Sequence, residues 1–340
     1  MKNIFIYISF IIIFCSISTV KAQDIHFSQF FASPLNVNPA NTGNFDGDYR
    51  FILNNKNQWQ SFADAYRTFA GSFDMGINDL WIKNSLAGVG LQINNDIAGD
   101  GKFGTTQLYL NGSYYLPVLK EHGLFAGLGF NVGYVFHGID FENLRFGDQF
   151  QNEYYNSEYF TEEVWDNKRI NYFDLGLGLN IIYKNNPGFI PQIGLSVLHI
   201  NMPGRSFYDN SDRYLPIKWT ISGGADIALN DNFWIEPLLL IMLQQKYREY
   251  NLGAMCRYDY GLAGLQSLYF GALFRTRDAA ILCLGVKYNN IKLSMNYDIN
   301  VSKLTRISRG KGGIEFSLIY VIYKAKIFET PHYRKCPDFI

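Results

Sequence analysis

Between residues 291 and 301 the chain alternates without interruption. Ile291, Leu293, Met295, Tyr297, Ile299 and Val301 fall on one side, and Lys292, Ser294, Asn296, Asp298 and Asn300 on the other. A period of two is the mark of a strand with one apolar and one polar face. Phe173, Leu175, Leu177, Leu179 and Ile181 likewise oppose Asp174, Gly176, Gly178 and Asn180, and Ile217, Trp219, Ile221 and Ile227 oppose Lys218, Thr220, Ser222 and Asp226. The pattern predicts strands near 49–59, 66–75, 85–95, 103–116, 123–136, 170–183, 188–200, 216–229, 232–244, 248–258, 266–275, 278–288, 290–300 and 312–323, with no helical stretch between them. That is about fourteen, an even number, as bacterial single-chain outer-membrane barrels require. The fold expected is all-β: one transmembrane antiparallel barrel over residues 49–323. Small glycines inside the polar rows leave room for sheet closure and for a guest in the lumen. Pro237 is the awkward residue, since it removes a ladder donor where a closed sheet has no free edge, and a bulge is the expected repair.

Connection lengths agree with a barrel. Short turns at 118–123, 184–187, 230–231 and 289–290 fall at one end, and long connections at 137–169, 201–215 and 301–311 at the other. Barrels pair short periplasmic turns with longer outer loops, so the N-terminus, and with it the C-terminal tail at 324–340, is expected on the periplasmic side. At a strand spacing near 4.8 Å and a tilt near 40°, such a ring closes at roughly 28 Å across, too wide for wall side chains to fill, so the lumen is expected to hold water, folded-in loops, the N-terminal segment or a partner. Residues 23–48 differ from the rest: Pro34 and Pro39 forbid a regular strand, and Asn, Ser and Gly break every period. They are expected to form an ordered periplasmic segment packed against the barrel's opening, with Phe27, Phe30 and Phe31 seeking burial.

The beginning of the chain sets the compartment. Lys2, an apolar stretch from Ile4 to Phe14, and Val20-Lys21-Ala22 before Gln23 compose a secretory signal, too short to span a bilayer and expected to be cleaved after Ala22. Cys15 suggests a lipoprotein alternative, which the large Phe14 before it fits poorly. No later run of eighteen apolar residues exists, although 48% of the chain is hydrophobic and 17% aromatic, with a mean hydropathy of -0.08. Oily content spread this thinly suits an alternating barrel and excludes a bundle of membrane helices. The net charge of zero gives no electrostatic case for nucleic acid.

No catalytic, cofactor or metal constellation emerges. His26, His122, His137, His199 and His332 are scattered over signature, turn, loop, strand and tail without metal-ligand spacing, and Cys256, Cys283 and Cys336 lack CxxC spacing. GxSxG and HExxH motifs are absent, and Gly127-Leu128-Gly129 with Gly133 lies in a strand with no helix after it. The loop after Phe136 concentrates carboxylates, among them Glu162, Glu163 and Asp166, between Tyr154, Tyr155, Tyr159, Phe160 and Trp165. Its carboxylates lack EF-hand spacing, and its aromatics suggest a protein-binding surface on what is otherwise a solvated loop. The last loop is basic, with Lys303, Arg306, Arg309 and Lys311. At over thirty residues the acidic loop can reach across the mouth as a lid held by Glu162, Glu163 or Asp166 near Arg306, Arg309 or Lys311.

Both ends of the mature chain resemble one family. Asp24-Ile25-His26-Phe27-Ser28-Gln29-Phe30, then Ser33-Pro34-Leu35-Asn36-Val37-Asn38-Pro39-Ala40 and Thr42-Gly43, resemble the opening of the PorP/SprF outer-membrane proteins of the type IX secretion system. So do Asn296-Tyr297-Asp298-Ile299, Ser302-Lys303-Leu304, Arg309-Gly310, Glu315-Phe316-Ser317-Leu318 and the tail Cys336-Pro337-Asp338-Phe339. Ile25 stands where the family carries Pro, and one residue follows Phe339. The resemblance implies a non-enzymatic barrel without cofactor, set in outer-membrane lipid, that supports secretion or surface anchoring of cargo such as adhesins recognised through a C-terminal domain. Implied partners are that cargo and periplasmic type IX components. One branch of the family is core machinery, and others serve single cargoes, as in gliding motility. Candidate partner-binding residues are Phe27, Phe30, Phe31, Asn36, Asn38, Tyr154, Tyr155, Tyr159 and Trp165. The alternative is a passive porin or hydrophobic-solute channel.

Overall fold

The computed structural model describes residues 24–58, 66–99, 101–119, 123–140, 144–151, 154–156, 161, 167–208, 213–261, 264–302 and 305–324. The expected signal with Cys15, the tail with Cys336, and Tyr159, Glu162, Glu163, Trp165 and Asp166 of the acidic loop all lie outside these residues. No helix among the described residues is long and apolar enough to cross a membrane.

The alternation becomes one closed antiparallel barrel of fourteen strands. They are β1 Tyr49–Gln58, β2 Tyr66–Asn78, β3 Leu86–Ala98, β4 Phe103–Leu119, β5 Leu124–Gly138, β6 Arg169–Tyr183, β7 Phe189–Leu198, β8 Lys218–Ala228, β9 Phe233–Gln244, β10 Tyr247–Asp259, β11 Leu265–Arg275, β12 Ala279–Tyr288, β13 Ile291–Asn300 and β14 Lys311–Ile322. Each pairs with its neighbour in sequence, and β14 closes on β1 from Tyr49↔Ile322 to Gln58↔Gly313. A closed ring leaves no unpaired edge. On β13, Ile291, Leu293, Met295 and Tyr297 face outward and Ser294, Asn296 and Asp298 are buried toward the lumen. The outer wall is accordingly apolar, and much of the inner wall is Asn, Gln, Ser and charge.

We name the end where β1 begins the near end. The turns there, 79–85, 120–123, 184–188, 229–232, 260–264 and 289–290, are short, and the far end carries 139–168, 199–217 and 301–310. His137 lies inside β5, not in the loop after it, and β7 stops at Leu198, so His199 turns inward at φ +58° instead of continuing the strand.

β9 departs from the simple pattern because Leu238, Leu240 and Met242 are apolar on its lumenal side as well. Pro237 is accommodated without the expected bulge. The β8–β9 register is the same at Gly224↔Leu238 and at Ile227↔Ile235, and only the two positions between them leave the ladder. Losing the pairing around one proline is tolerated because the flanking pairs keep the strands aligned.

Candidate functional site

The lumen of this barrel holds a guest, and the guest is its own N-terminal segment. Asp24 lies at the far end beside His199 and Lys218, and the chain runs through the lumen to Asp48, whose backbone joins Ile322 at the near end. The sequence places the segment at the periplasmic opening and names it among the candidate contents of the lumen. It enters fully and begins at the opposite end, because a polar wall all round the lumen satisfies its irregular backbone. Pro34 and Pro39 each open a short helical turn, Pro34–Val37 and Pro39–Asn41, since proline at a first helical position loses no hydrogen bond. Asn38 caps the second turn by accepting from Ala40 N–H at 2.9 Å.

Contacts reach almost every side of the ring. Near the far end, the backbone N–H groups of Ser28 and Gln29 donate to the two carboxylate oxygens of Glu315 at 2.9 and 3.0 Å. Ser28 Oγ donates to Asp298 at 2.6 Å, and Arg275 donates to both Ser28 Oγ and Asp298. At mid-depth, Asn36 Oδ1 accepts from Gln92 and Asn94, Ser196 donates to Val37 O at 2.6 Å, and Asn54 to Ala32 O. Asn38 Nδ2 donates to Leu179 O at 2.8 Å. Toward the near end, Tyr115 OH donates to Ala40 O, Ser113 to Thr42 O, and Gly43 N–H to Asp74, which Arg50 grips with two hydrogen bonds at 2.7 and 2.9 Å. A typical bond of this kind adds about 1 kcal/mol net, while leaving a buried partner unsatisfied costs about 1–3 kcal/mol, so the segment is held by many modest latches.

Two further devices hold it. Phe30, with Phe31 and Val37 beside it, packs on Leu240, Met242, Met255, Leu273, Ile281 and Cys283. This is the reason β9 is apolar on both faces, and burying Phe30 contributes about 1.5–3 kcal/mol. Lumenal glycines supply the clearance: a Cβ on Gly178 would lie 2.0 Å from Asn38 Oδ1, and one on Gly129 2.2 Å from Ala40 N.

At the far end a buried charge cluster ties the first described residue to the wall. His199 Nδ1 contacts Asp174 at 2.8 Å, its Nε2 meets Asp24 at 3.1 Å, Lys218 Nζ reaches the same Asp24 oxygen at 3.1 Å, and Tyr109 donates to Asp174. Burial alone would push His199 down, but the carboxylates of Asp24 and Asp174 reverse that and raise it to about 9. Burial alone would raise Asp24, but Lys218 and His199 hold it well below the usual carboxylate range. Two carboxylates facing an imidazolium and an ammonium balance to zero, which makes the buried cluster tolerable.

Of the residues singled out in the sequence, Phe27, Phe30, Asn36 and Asn38 face the chain's own barrel wall, not solvent. Tyr154 and Tyr155 form a small hairpin with Phe150 and Gln151 in the long far-end loop, where Tyr154 is 80% exposed. Arg309 and Lys311 are exposed, and the backbone of Arg306 lies in the short helix Thr305–Ser308. The carboxylates proposed to meet them lie outside the described residues. At the far mouth Leu215, just before β8, packs on lumenal Val135 and Tyr172. The alternation already put Asp174 and Asp298 on the polar face. Arg275, Glu315, His199 and the Arg50–Asp74 pair were missed, although each sits on or beside a polar row. At the near end Asp226, Glu236, Arg257 and Lys292 line a half-buried lumenal wall, with Arg257 3.1 Å from Glu236 and 4.4 Å above the Trp234 ring.

In sequence, no protein of curated function matches this chain. Among solved structures it is similar in fold to the monoaromatic hydrocarbon channel CymD (11% identity, 86% of this chain and 93% of that one, TM-score 0.49). It is also similar to the Pseudomonas putida toluene transporter TodX (9% identity, 84% and 92%, TM-score 0.49). CdiB from Acinetobacter baumannii aligns too (9% identity, TM-score 0.42), with 80% of this chain spanning 60% of that one. The decisive match is in sequence: residues 19–320 fit the model of the type IX secretion system membrane protein PorP/SprF, so the chain belongs to the PorP/SprF family of outer-membrane barrels.

Proposed function

We propose that this protein is a non-enzymatic docking barrel that supports the export or surface anchoring of cargo by the type IX machinery, adhesins among them, instead of conducting solutes through its lumen. The observation that carries this reading is the lumen itself, threaded from the far end to the near end by residues 24–48 that are bonded to the wall on most sides. An open porin needs a clear path, and here polar wall groups that would line one are spent on the segment. The short-turn end faces the periplasm by the general pattern of such barrels. That leaves two surfaces for partners: the far-end loops with Tyr154 and Tyr155 for cargo outside, and the charged near-end wall around Glu236 and Arg257 for periplasmic components.

The test is the surface proteome of a strain lacking this chain, complemented with the full chain or with one deleted for residues 24–42. A defined set of surface proteins is expected to vanish, to return with the full chain, and to stay missing with the deletion. An unchanged surface proteome, with altered solute uptake only, overturns the reading in favour of a channel.

A further inference from the structure

The outer wall carries a second feature, at the far end between β3 and β6. Four outward-facing positions align across the strands as Ile97, Gly104, Gly138 and Arg169, and the row below them as Asn95, Thr106, Phe136 and Asn171. Below that again the wall becomes apolar and aromatic: Tyr134 packs edge-on against Phe136 and Phe173, with ring centroids 4.9 and 5.1 Å away. Such a change from aromatic to polar rows marks the level where hydrocarbon gives way to headgroups. At that level the paired glycines leave a groove of about 610 Å³, and Lys102, Lys168 and Arg169 stand over it. Lys102 is 68% exposed and 3.9 Å from Asp140, while Lys168 and Arg169 pair with no carboxylate of the described residues. Among the described residues lining the groove, three cations face one carboxylate, a net charge of +2.

We infer that this groove binds the phosphate-bearing headgroup of a membrane lipid in the leaflet at the long-loop end, with acyl chains lying along Tyr134, Phe136 and Phe173. Charge complementarity selects a phosphate, because guanidinium and ammonium groups donate to its oxygens without leaving the interface. Position selects a lipid over free phosphate, because the groove opens sideways onto the bilayer and its floor is continuous with the apolar wall. Gly104 and Gly138 matter as absent side chains: a Cβ at Gly138 would touch Arg169 Cγ at 3.3 Å and begin to fill the space.

The experiment is native mass spectrometry of the full, delipidated chain in detergent, with diphosphoryl lipid A as probe and its dephosphorylated form as comparison. Each cation near a charged lipid surface is worth about 5-fold in affinity, so K102Q/K168Q/R169Q is expected to weaken lipid A binding about 100-fold. Neutralising three cations elsewhere, K83Q/K246Q/K324Q, is expected to leave it unchanged, and the dephosphorylated probe to bind the native chain no better than lipid A binds the triple variant. Heat-dependent gel mobility of each variant confirms a folded barrel. Equal binding by both triple variants overturns the inference. So does full competition by inorganic phosphate, which would mark a free-anion site. Absence of lipid A adducts on the native chain also overturns it, and would assign these cations to the chain's own acidic loop.

Discussion

Replacing Gly129 with alanine isolates the contact between wall and guest. Gly129 lies on the lumenal face of β5, and its new Cβ would sit 2.2 Å from Ala40 N, 2.4 Å from Ala40 Cα and 2.5 Å from the carbonyl carbon of Pro39. All three are backbone atoms, so no side chain can swing aside. Ordinary contact begins at 3.4 Å, and the segment must therefore withdraw by about 1.2 Å, the difference between the two distances. A movement of that size breaks the hydrogen bonds of Tyr115 to Ala40 O at 2.8 Å and of Asn38 to Leu179 O at 2.8 Å, and strains the Asn38 cap. At about 1 kcal/mol each the two lost bonds amount to about 2 kcal/mol of holding energy, or about 30-fold in the opening equilibrium. The barrel itself should not suffer, since alanine suits a strand better than glycine by about 0.5–1 kcal/mol. Hydrogen exchange followed by mass spectrometry reads the result directly: amides of 35–43 should exchange about 30-fold faster in Gly129→Ala, with the strands protected as before. Gly147→Ala is the control, because a Cβ there meets nothing within 4 Å. Native-like protection of 35–43 in a folded Gly129→Ala barrel would refute the packing described.

Met295→Arg, on the lipid face, should destabilise the barrel by about 2–4 kcal/mol near the midplane in urea unfolding from lipid vesicles, and the apolar Met295→Leu at the same position by less than about 1.5 kcal/mol; equal losses would mean the outward face is assigned wrongly. Arg275→Met removes the partner of Asp298 and Ser28, and should cost about 3–5 kcal/mol in the same assay by leaving a buried carboxylate unpaired, with part regained in R275M/D298N. The far-end latch should depend on pH. His199 is raised from 6.5 to about 9, so its contribution is complete below 6.5 and is lost as pH rises through 9, whereas the contribution of Asp24, which is lowered, is present above 3.8 and lost in stronger acid. A spin label at Ile25→Cys, in a chain with its other cysteines replaced, should therefore gain mobility above pH 9, and His199→Gln should abolish that alkaline step; a label equally mobile at pH 7 and pH 10 would contradict it.

The strands were legible because lipid outside and a polar lumen inside impose period two on each of them, and their boundaries follow within a few residues. β9 shows the limit. Its uninterrupted apolar run reads as a strand, but nothing local reveals that Leu240 and Met242 face Phe30, more than two hundred residues earlier in sequence. The same holds for Ser28 with Glu315 and Asp24 with His199, pairs that only barrel closure brings together. Glycines in the lumenal rows did signal a guest. The N-terminal segment was among the guests the sequence allowed, but its depth was not legible, because the prolines of 34 and 39 exclude a strand without saying where the resulting turns will lodge. Pro237 misled for a simpler reason: a ladder can drop two pairs and keep its register, an economy that sequence patterns do not distinguish from a bulge.

Planar-bilayer conductance tests most directly whether the N-terminal segment seals the barrel as a docking device. The full chain is predicted to insert without discrete current steps, and the chain deleted for residues 24–42, folded by the criterion of heat-dependent gel mobility, to give steady open steps. Equal conductance from the two chains would contradict the claim.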